Sequence, residues 1–485
     1  MAQHCKSTVE APSPGATLAA TPHERASGFR ASLALLTILI AACSGPGNGM
    51  ARQVETSDAE QVAPPEGPLA FRGAQGFGAV SAGGRGGRII PVTTLDDSGP
   101  GSLRACIEAD GPRVCVFRVS GVIRYTTAPP RIRNPFITIA GQTAPGGGIT
   151  LAHAGGEAGA TPLVVKQSHD VVIRHLRVRP DRIGNNRGGE DAITIEQSER
   201  VIIDHVSASW ARDELINGHA QNDAITISNS IFAWAIPRHD KCALLGSDPT
   251  GRQTLSFIGN LCAHSGDRNP DINFMPGSCV EIFGNVFYNA RSEFAEVWET
   301  YGGSPVALVG NSFIAGPDTS SSAVGIVRQT IGSTGEGSAY LRGNGFIGSF
   351  VHIDRSLDAI VRPQPPCPFS HSPRPAAEAY AAVLASAGAF PRDALDEQVV
   401  GEVAARRGSL ASQPGTIPAI ASGTPYPDAD GDGMDDDWER ANGTDPAMSD
   451  PWLDADGDGV ANLEQFLDDL SDRLIRENGP TGGAQ

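Results

Sequence analysis

The chain has 485 residues, room for one large domain with accessory segments, and its 58 Gly and 36 Pro with only 6% aromatic residues suit a turn-rich, all-β architecture better than a helical one. The net charge of -18 is concentrated: between Asp428 and Asp469 stand 13 Asp and 2 Glu against one Arg, so that segment carries 14 of the 18 net negative charges. The remainder is close to neutral and offers no basic face for phosphates, which argues against a nucleic-acid partner. An acidic polymer would have to be held by a few local cations or by bound metal, and lysine is scarce, with only Lys6, Lys166 and Lys241.

The first segment, 1–43, reads as an export signal. Ala31 to Ala42 is an apolar run too short to span a bilayer, preceded by Arg25 and Arg30. The run ends in Ile40-Ala41-Ala42-Cys43 followed by Ser44-Gly45, which resembles a bacterial lipoprotein signal with cleavage before Cys43 and a lipid anchor on its sulfur. A plain signal peptide with a chance cysteine is the alternative. Either way the chain is expected to be exported, as an outer-membrane lipoprotein or a secreted protein, and to act as a monomer. Residues 44–70 are small and polar, as in a tether.

From Phe71 the texture changes. Short β-like segments recur through 71–365, among them Val171-Val172-Ile173, Val201-Ile202-Ile203, Ile225-Thr226-Ile227 and Val280-Glu281-Ile282. Asn229, Asn260, Asn285, Asn311 and Asn344 follow the later ones at intervals of 25 to 33 residues. This is the pattern of a solenoid: one coil cannot bury its apolar face alone, but stacked coils share a core, and equivalent Asn side chains can hydrogen-bond as a ladder. Cys106, Cys115, Cys242, Cys262, Cys279 and Cys367 form an even set suited to disulfides. Cys106–Cys115 and Cys242–Cys262 are plausible pairs among fifteen connectivities. The pattern turns helical over 366–408, expected to flank or cap the solenoid, and 409–427 reads as a linker.

Two acidic repeats occupy 428–470. In the first, Asp428, Asp430, Asp432, Asp436 and Glu439 fall at the first, third, fifth, ninth and twelfth positions of a calcium loop, with Gly433 at the sharp turn. Carboxylates this dense repel one another without a hard cation. The second has Asp454, Asp456, Asp458 and Asn462, but Gln465 stands at the twelfth position and Glu464 one residue early, so weaker binding or a shortened loop is expected. The pair resembles thrombospondin-type-3 or dockerin calcium repeats, modules that stiffen a terminus or attach a partner.

A second resemblance spans about 71–408. Phe77-Gly78-Ala79 with Gly83-Gly84-Arg85-Gly86-Gly87, then Leu95-Asp96-Asp97-Ser98-Gly99-Pro100-Gly101-Ser102-Leu103-Arg104, open it. Ile139-Ala140-Gly141-Gln142-Thr143-Ala144-Pro145-Gly146, Asp191-Ala192-Ile193-Thr194-Ile195, Val201-Ile202-Ile203-Asp204-His205 and Arg268-Asn269-Pro270 continue it in order. These resemble the pectate lyase superfamily. The resemblance implies a right-handed parallel β-helix with a groove along one face, and calcium-assisted β-elimination on polygalacturonate or a related uronate glycan. It implies Arg268 as the group that takes the C5 proton, Lys241 as the clamp on the substrate carboxylate, and Asp191, Asp213 and Glu214 as groove calcium ligands. Asp204 and His205 read as turn residues. Asp271 and Asn273 stand where the family often carries basic residues, which removes positive charge near Arg268. A β-helix glycan hydrolase or esterase, or a non-catalytic glycan-binding lipoprotein, are the rival readings.

Overall fold

The chain from residue 61 winds into stacked coils, each made of three short strands. The computed structural model describes residues 61–185 and 190–479; the export segment with Cys43, and the tether up to residue 60, lie outside these. One coil runs through Ile193–Glu196, Glu199–Asp204 and Ser207–Ser209, and the next begins at Glu214–His219. Every strand pairs in parallel with its equivalent one coil away, giving three sheets of ten, nine and nine strands in a right-handed solenoid.

The sequence dictates this locally. Val201, Ile203, Ile225, Ile227, Leu255 and Phe257 alternate into the shared core of the ten-stranded sheet. A one-residue bend in left-handed conformation then turns the chain onto the next sheet. His175, His205 and Asn229 occupy it in successive coils, followed by Gly259, Gly284 and Gly310. The residue after each glycine is an Asn, and these form the expected ladder. The backbone N–H of Asn260 donates to Oδ1 of Asn285 (2.9 Å), that of Asn285 to Asn311 (2.9 Å) and that of Asn311 to Asn344 (3.0 Å). Asn229 departs from the sequence expectation. It sits at the bend itself, and the ladder passes instead to Ser230, whose N–H donates to Oδ1 of Asn260 (2.9 Å).

The ends and two of the three faces are covered. Helix Leu103–Glu108 buries Leu103, Cys106 and Ile107 over the first coil, with Ser102 accepting from the N–H of Ala105. The disulfides are Cys106–Cys115, Cys242–Cys262 and Cys279–Cys367. The glycine-rich opening lies across the ten-stranded sheet, where a Cβ at Gly84 would stand 2.0 Å from the carbonyl oxygen of Arg113. Helices Ala376–Ser386 and Ala394–Ala405 cover the sheet that holds Ile231–Ala233, placing Val383, Val399 and Val403 against Ile231, Leu261 and Val286. The segment expected as a linker is seated on the same side: the N–H of Gly147 donates to the carbonyl of Ala421 (2.8 Å). Helix Asn462–Asn478 packs Leu463, Phe466, Leu467 and Leu470 on Val114, Val116 and Ala140 of the ten-stranded sheet. The third sheet presents partly exposed Thr194, Asn217, His219 and Lys241 on its outer face.

Candidate active site

On that third sheet the starts of successive strands line up. Glu214 pairs in register with Lys241, Lys241 bridges Asp267, and Asp271 pairs with Glu296. The N–H of Ala192 donates to the carbonyl of Glu214 (3.1 Å), which sets Asp191 beside it. Adjacent rungs lie about 4.8 Å apart, so side chains distant in sequence share one patch. Asp191, Glu214, Lys241 and Arg268, singled out from the sequence, therefore stand on consecutive coils of a single face.

Asp191 is 3% exposed. Its Oδ2 accepts from Thr194 Oγ1 (2.7 Å) and Asn217 Nδ2 (3.1 Å), and its Oδ1 from the N–H of Glu214 (3.2 Å). Burial, with the charge of Asp213 adding to it, pushes Asp191 up to about 6. Glu214 is 2% exposed, and burial followed by the charges of Asp191 and Asp213 pushes it up to about 9, against the opposing pull of Arg268. One carboxylate oxygen from each of Asp191, Asp213 and Glu214 falls within 4.8 Å of the others. Asp213 also accepts from Nδ1 of His239 (2.8 Å). Three carboxylates facing one guanidinium leave excess negative charge, which a proton or a divalent cation relieves. An all-oxygen donor set of this kind fits a hard cation such as calcium.

Arg268 donates through Nη1 to Oε1 of Glu214, and its Nε lies 3.4 Å from Oδ2 of Asp271. Burial alone would lower its pKa, but Asp271, Glu214 and Glu296 outweigh it and hold the guanidinium above its ordinary value. The ammonium of Lys241 is ion-paired with Asp267. Asp271, noted in the sequence as a lost basic position, is buried, and burial with Glu296 beside it holds its carboxyl well above the usual range. Glu296 was not singled out from the sequence. It accepts from the N–H of Arg268 (3.2 Å), Trp298 Nε1 (3.2 Å) and Gln329 Nε2 (3.2 Å), and burial pushes it up to about 7. No sequence signal marks Glu296, because apart from Trp298 on its own strand its partners, Arg268 and Gln329, come from neighbouring coils.

The C-terminal acidic residues form a separate group. Carboxylate oxygens of Asp428, Asp430 and Asp432 lie within 4.8 Å of one another, as do those of Asp432, Glu439 and Asp450. Glu439 is 0% exposed and neither of its oxygens has a hydrogen-bond partner. Asp450 lies beyond the twelve-residue motif, and sequence reading missed it. Asp436 stands outside this group: its Oδ1 accepts from the N–H of Ala429 (2.8 Å) and closes the loop. Asn462 does the same in the second repeat, accepting from the N–H of Ala455 (3.0 Å). The expectation for Glu464 is corrected. Its Oε1 accepts from Arg85 Nε (2.6 Å), so it faces the glycine-rich opening rather than the exposed group of Asp454, Asp456 and Asp458.

The sequence matches the Pectate lyase family over residues 142–389. It is 34% identical over 415 residues to the probable pectate lyase C of Neosartorya fischeri, covering 79% of this chain and 89% of the relative. The probable pectate lyase C of Emericella nidulans is likewise 34% identical over 408 residues, covering 79% and 88%. Among solved structures, a pectate lyase from Bacillus sp. N165 in complex with trigalacturonate aligns at 18% identity with a TM-score of 0.45, over 65% of this chain and 98% of that one. With a third of its residues identical over most of both chains, the protein belongs to the pectate lyase family.

Proposed function

We propose that the protein cleaves polygalacturonate, or a related uronate glycan, by calcium-assisted β-elimination on the third sheet. The observation that carries this reading is the gathering of Asp191, Glu214, Lys241 and Arg268 on successive coils of one face. Elimination needs a base at C5, and positive charge at the neighbouring carboxylate as negative charge builds there. Arg268 is the group this face offers to take the C5 proton, which it does as the neutral guanidine reached by releasing a guanidinium proton to solvent. The C5–H and C4–O bonds then break as the C4=C5 double bond forms, and the departing O4 takes a proton from water. Lys241, once its ammonium leaves Asp267, binds the substrate carboxylate. Asp191, Asp213 and Glu214 would hold calcium, whose chemistry there is to screen and polarise that carboxylate. Asp271 faces Nε of the Arg268 guanidinium, and Glu296 accepts from the backbone N–H of Arg268.

The segment 428–439 is read as a second calcium loop with a structural role. The apolar run before Cys43 supports an exported chain, lipid-anchored or secreted, whose partner is an acidic polysaccharide.

The test is to incubate the protein with polygalacturonate and calcium and follow the ultraviolet absorbance of the unsaturated product. The reading requires a rise that chelator and Arg268→Ala both remove. New reducing ends without absorbance would point to hydrolysis, and binding with neither to a non-catalytic glycan binder.

A further inference from the structure

The acidic loop does not stand free of the solenoid. The side chain of Met434 is fully buried with Val114, Val116, Leu463 and Phe466. A Cβ on Gly433 would lie 2.9 Å from Cγ2 of Ile89, so the turn is pressed onto the first strand, Arg88–Val92. Arg118 lies over the ring of Tyr426, whose hydroxyl donates to the carbonyl of Gly433 (2.8 Å).

The carboxylates on the other side of the loop reach outward to the helix. The N–H of Asp450 donates to Oδ2 of Asp432 (3.2 Å). Nδ2 of Asn462, the first residue of helix Asn462–Asn478, donates to Oδ1 (3.1 Å) and to the carbonyl (3.0 Å) of Asp450. That helix is in turn fixed to the solenoid. Glu464 pairs with Arg85 (2.6 Å), Asp468 with Arg174 (3.0 Å), and Ser471 Oγ lies 2.8 Å from Nε2 of His175. The apolar face of that helix is covered by its own chain.

We propose that a cation held by Asp428, Asp430, Asp432 and Glu439, with Asp450 as a ligand from outside the loop, fastens the C-terminal helix to the first coils of the solenoid. The inference rests on the calcium reading of this loop. Two observations lead to it independently of the acidic motif. Glu439 is a fully buried carboxyl group with both oxygens unpartnered, an arrangement that a protein sustains by a proton or by a compensating charge, and the carboxylates of Asp432 and Asp450 beside it complete a donor set for a cation. Asp450 links that charge, through Asn462, to the start of the docked helix. Without the cation, repulsion among five carboxylates would push the loop off Ile89 and loosen the helix start.

The experiment uses the full chain with calcium chloride or chelator and reads calcium binding by calorimetry, thermal unfolding, and amide exchange in Arg88–Val92 and Arg113–Phe117. The unsubstituted protein should gain roughly 5 °C in Tm with calcium and exchange more slowly in both strands. Glu439→Gln and Asp450→Asn should each weaken one calcium site by about tenfold or more and lose most of both effects. Asp191→Asn, in the groove, should keep the calcium-dependent slowing of exchange in both strands while losing the groove's own calcium binding. Loop variants that bind calcium as tightly as the unsubstituted protein would overturn the calcium reading and the inference with it. Loop variants that lose binding while calcium still slows exchange in both strands would overturn the fastener alone.

Discussion

The guanidinium of Arg268 donates to Oε1 of Glu214 two coils away along the same sheet, joining the expected base to an expected calcium ligand. Arg268→Ala should lower kcat/KM for polygalacturonate by about 10³-fold or more, since a positioned base contributes about 10²- to 10⁴-fold. Arg268→Lys should fall nearly as far, because a lysine cannot reach Glu214 and Asp271 together. Arg268→Ala should also bind calcium more tightly than the unsubstituted protein, as the cation then has no rival for Glu214. Product absorbance and calorimetry read the two effects separately.

Lys241 and Asp267 are the second pair to test. The ion pair holds the ammonium ready on the sheet but must open before a uronate can take its place. Asp267→Asn should therefore lower KM about fivefold, the size of a partly exposed ion pair worth about 1 kcal/mol. Lys241→Met should raise KM more than it lowers kcat if the ammonium binds the carboxylate equally in ground and transition states. Steady-state kinetics at two salt concentrations distinguish these, since removal of the ion pair should also flatten the salt dependence.

Much of the fold was legible because parallel stacking repeats the same local chemistry once per coil. Asn260, Asn285 and Asn311 follow a glycine in the left-handed bend, and each pairs with the next copy of itself. Asn229 was misplaced by one position because Ser230 takes over the rung, and both residue types suit a turn. Local motifs marked Arg268, Lys241 and Asp191, and these stand on one face, but the neighbours that contact them were not marked. Glu296 and Asp450 act through partners supplied by other segments, and Glu464 was drawn from its motif by an arginine 379 residues away. Asp271 was seen only as missing positive charge, whereas its carboxylate faces Arg268.

The ladder carries a measurable load. Asn311 accepts from the N–H and Nδ2 of Asn285 (2.9 and 3.0 Å) and donates to the carbonyl of Ile282 (2.7 Å) and to Asn344 (3.0 Å). Asn311→Ala would leave buried donors and an acceptor without partners, at a cost of about 3 kcal/mol. The urea midpoint should fall accordingly. Asn344→Ala, at the end of the run, should cost less, because it is more exposed and, although it orphans the Asn311 donors and the carbonyl of Leu308, it supports no further rung.

Acid should weaken the seam between the solenoid and its C-terminal helix. His175 is 1% exposed, lies stacked on His205 with ring centroids 5.1 Å apart, and is flanked by Arg174, Arg177 and Asp204. Its Nδ1 accepts from the N–H of Phe390 (3.2 Å), so the neutral ring carries its proton on Nε2 and donates it to Ser471 Oγ. Burial first, then the charges of His205 and Arg174, hold its pKa well below 6.5. Below pH 6.5 the unfolded chain thus binds a proton that the folded one refuses. The stabilisation is complete above that pH and is lost as pH falls, by at most about 1.4 kcal/mol per pH unit. His153 and His371 are also held low by burial and act in the same direction, whereas Asp204, held below its usual range by His205 and Arg174 despite burial, contributes only below about 4. Between pH 7.5 and 5 the Tm of His175→Gln should therefore decline less steeply than that of the unsubstituted protein. The protection of amides in Asn462–Asn478, taken relative to the intrinsic exchange rate at each pH, should fall with acid only in the latter. Equal slopes for the two would place the acid lability at His153 or His371 instead of at this seam.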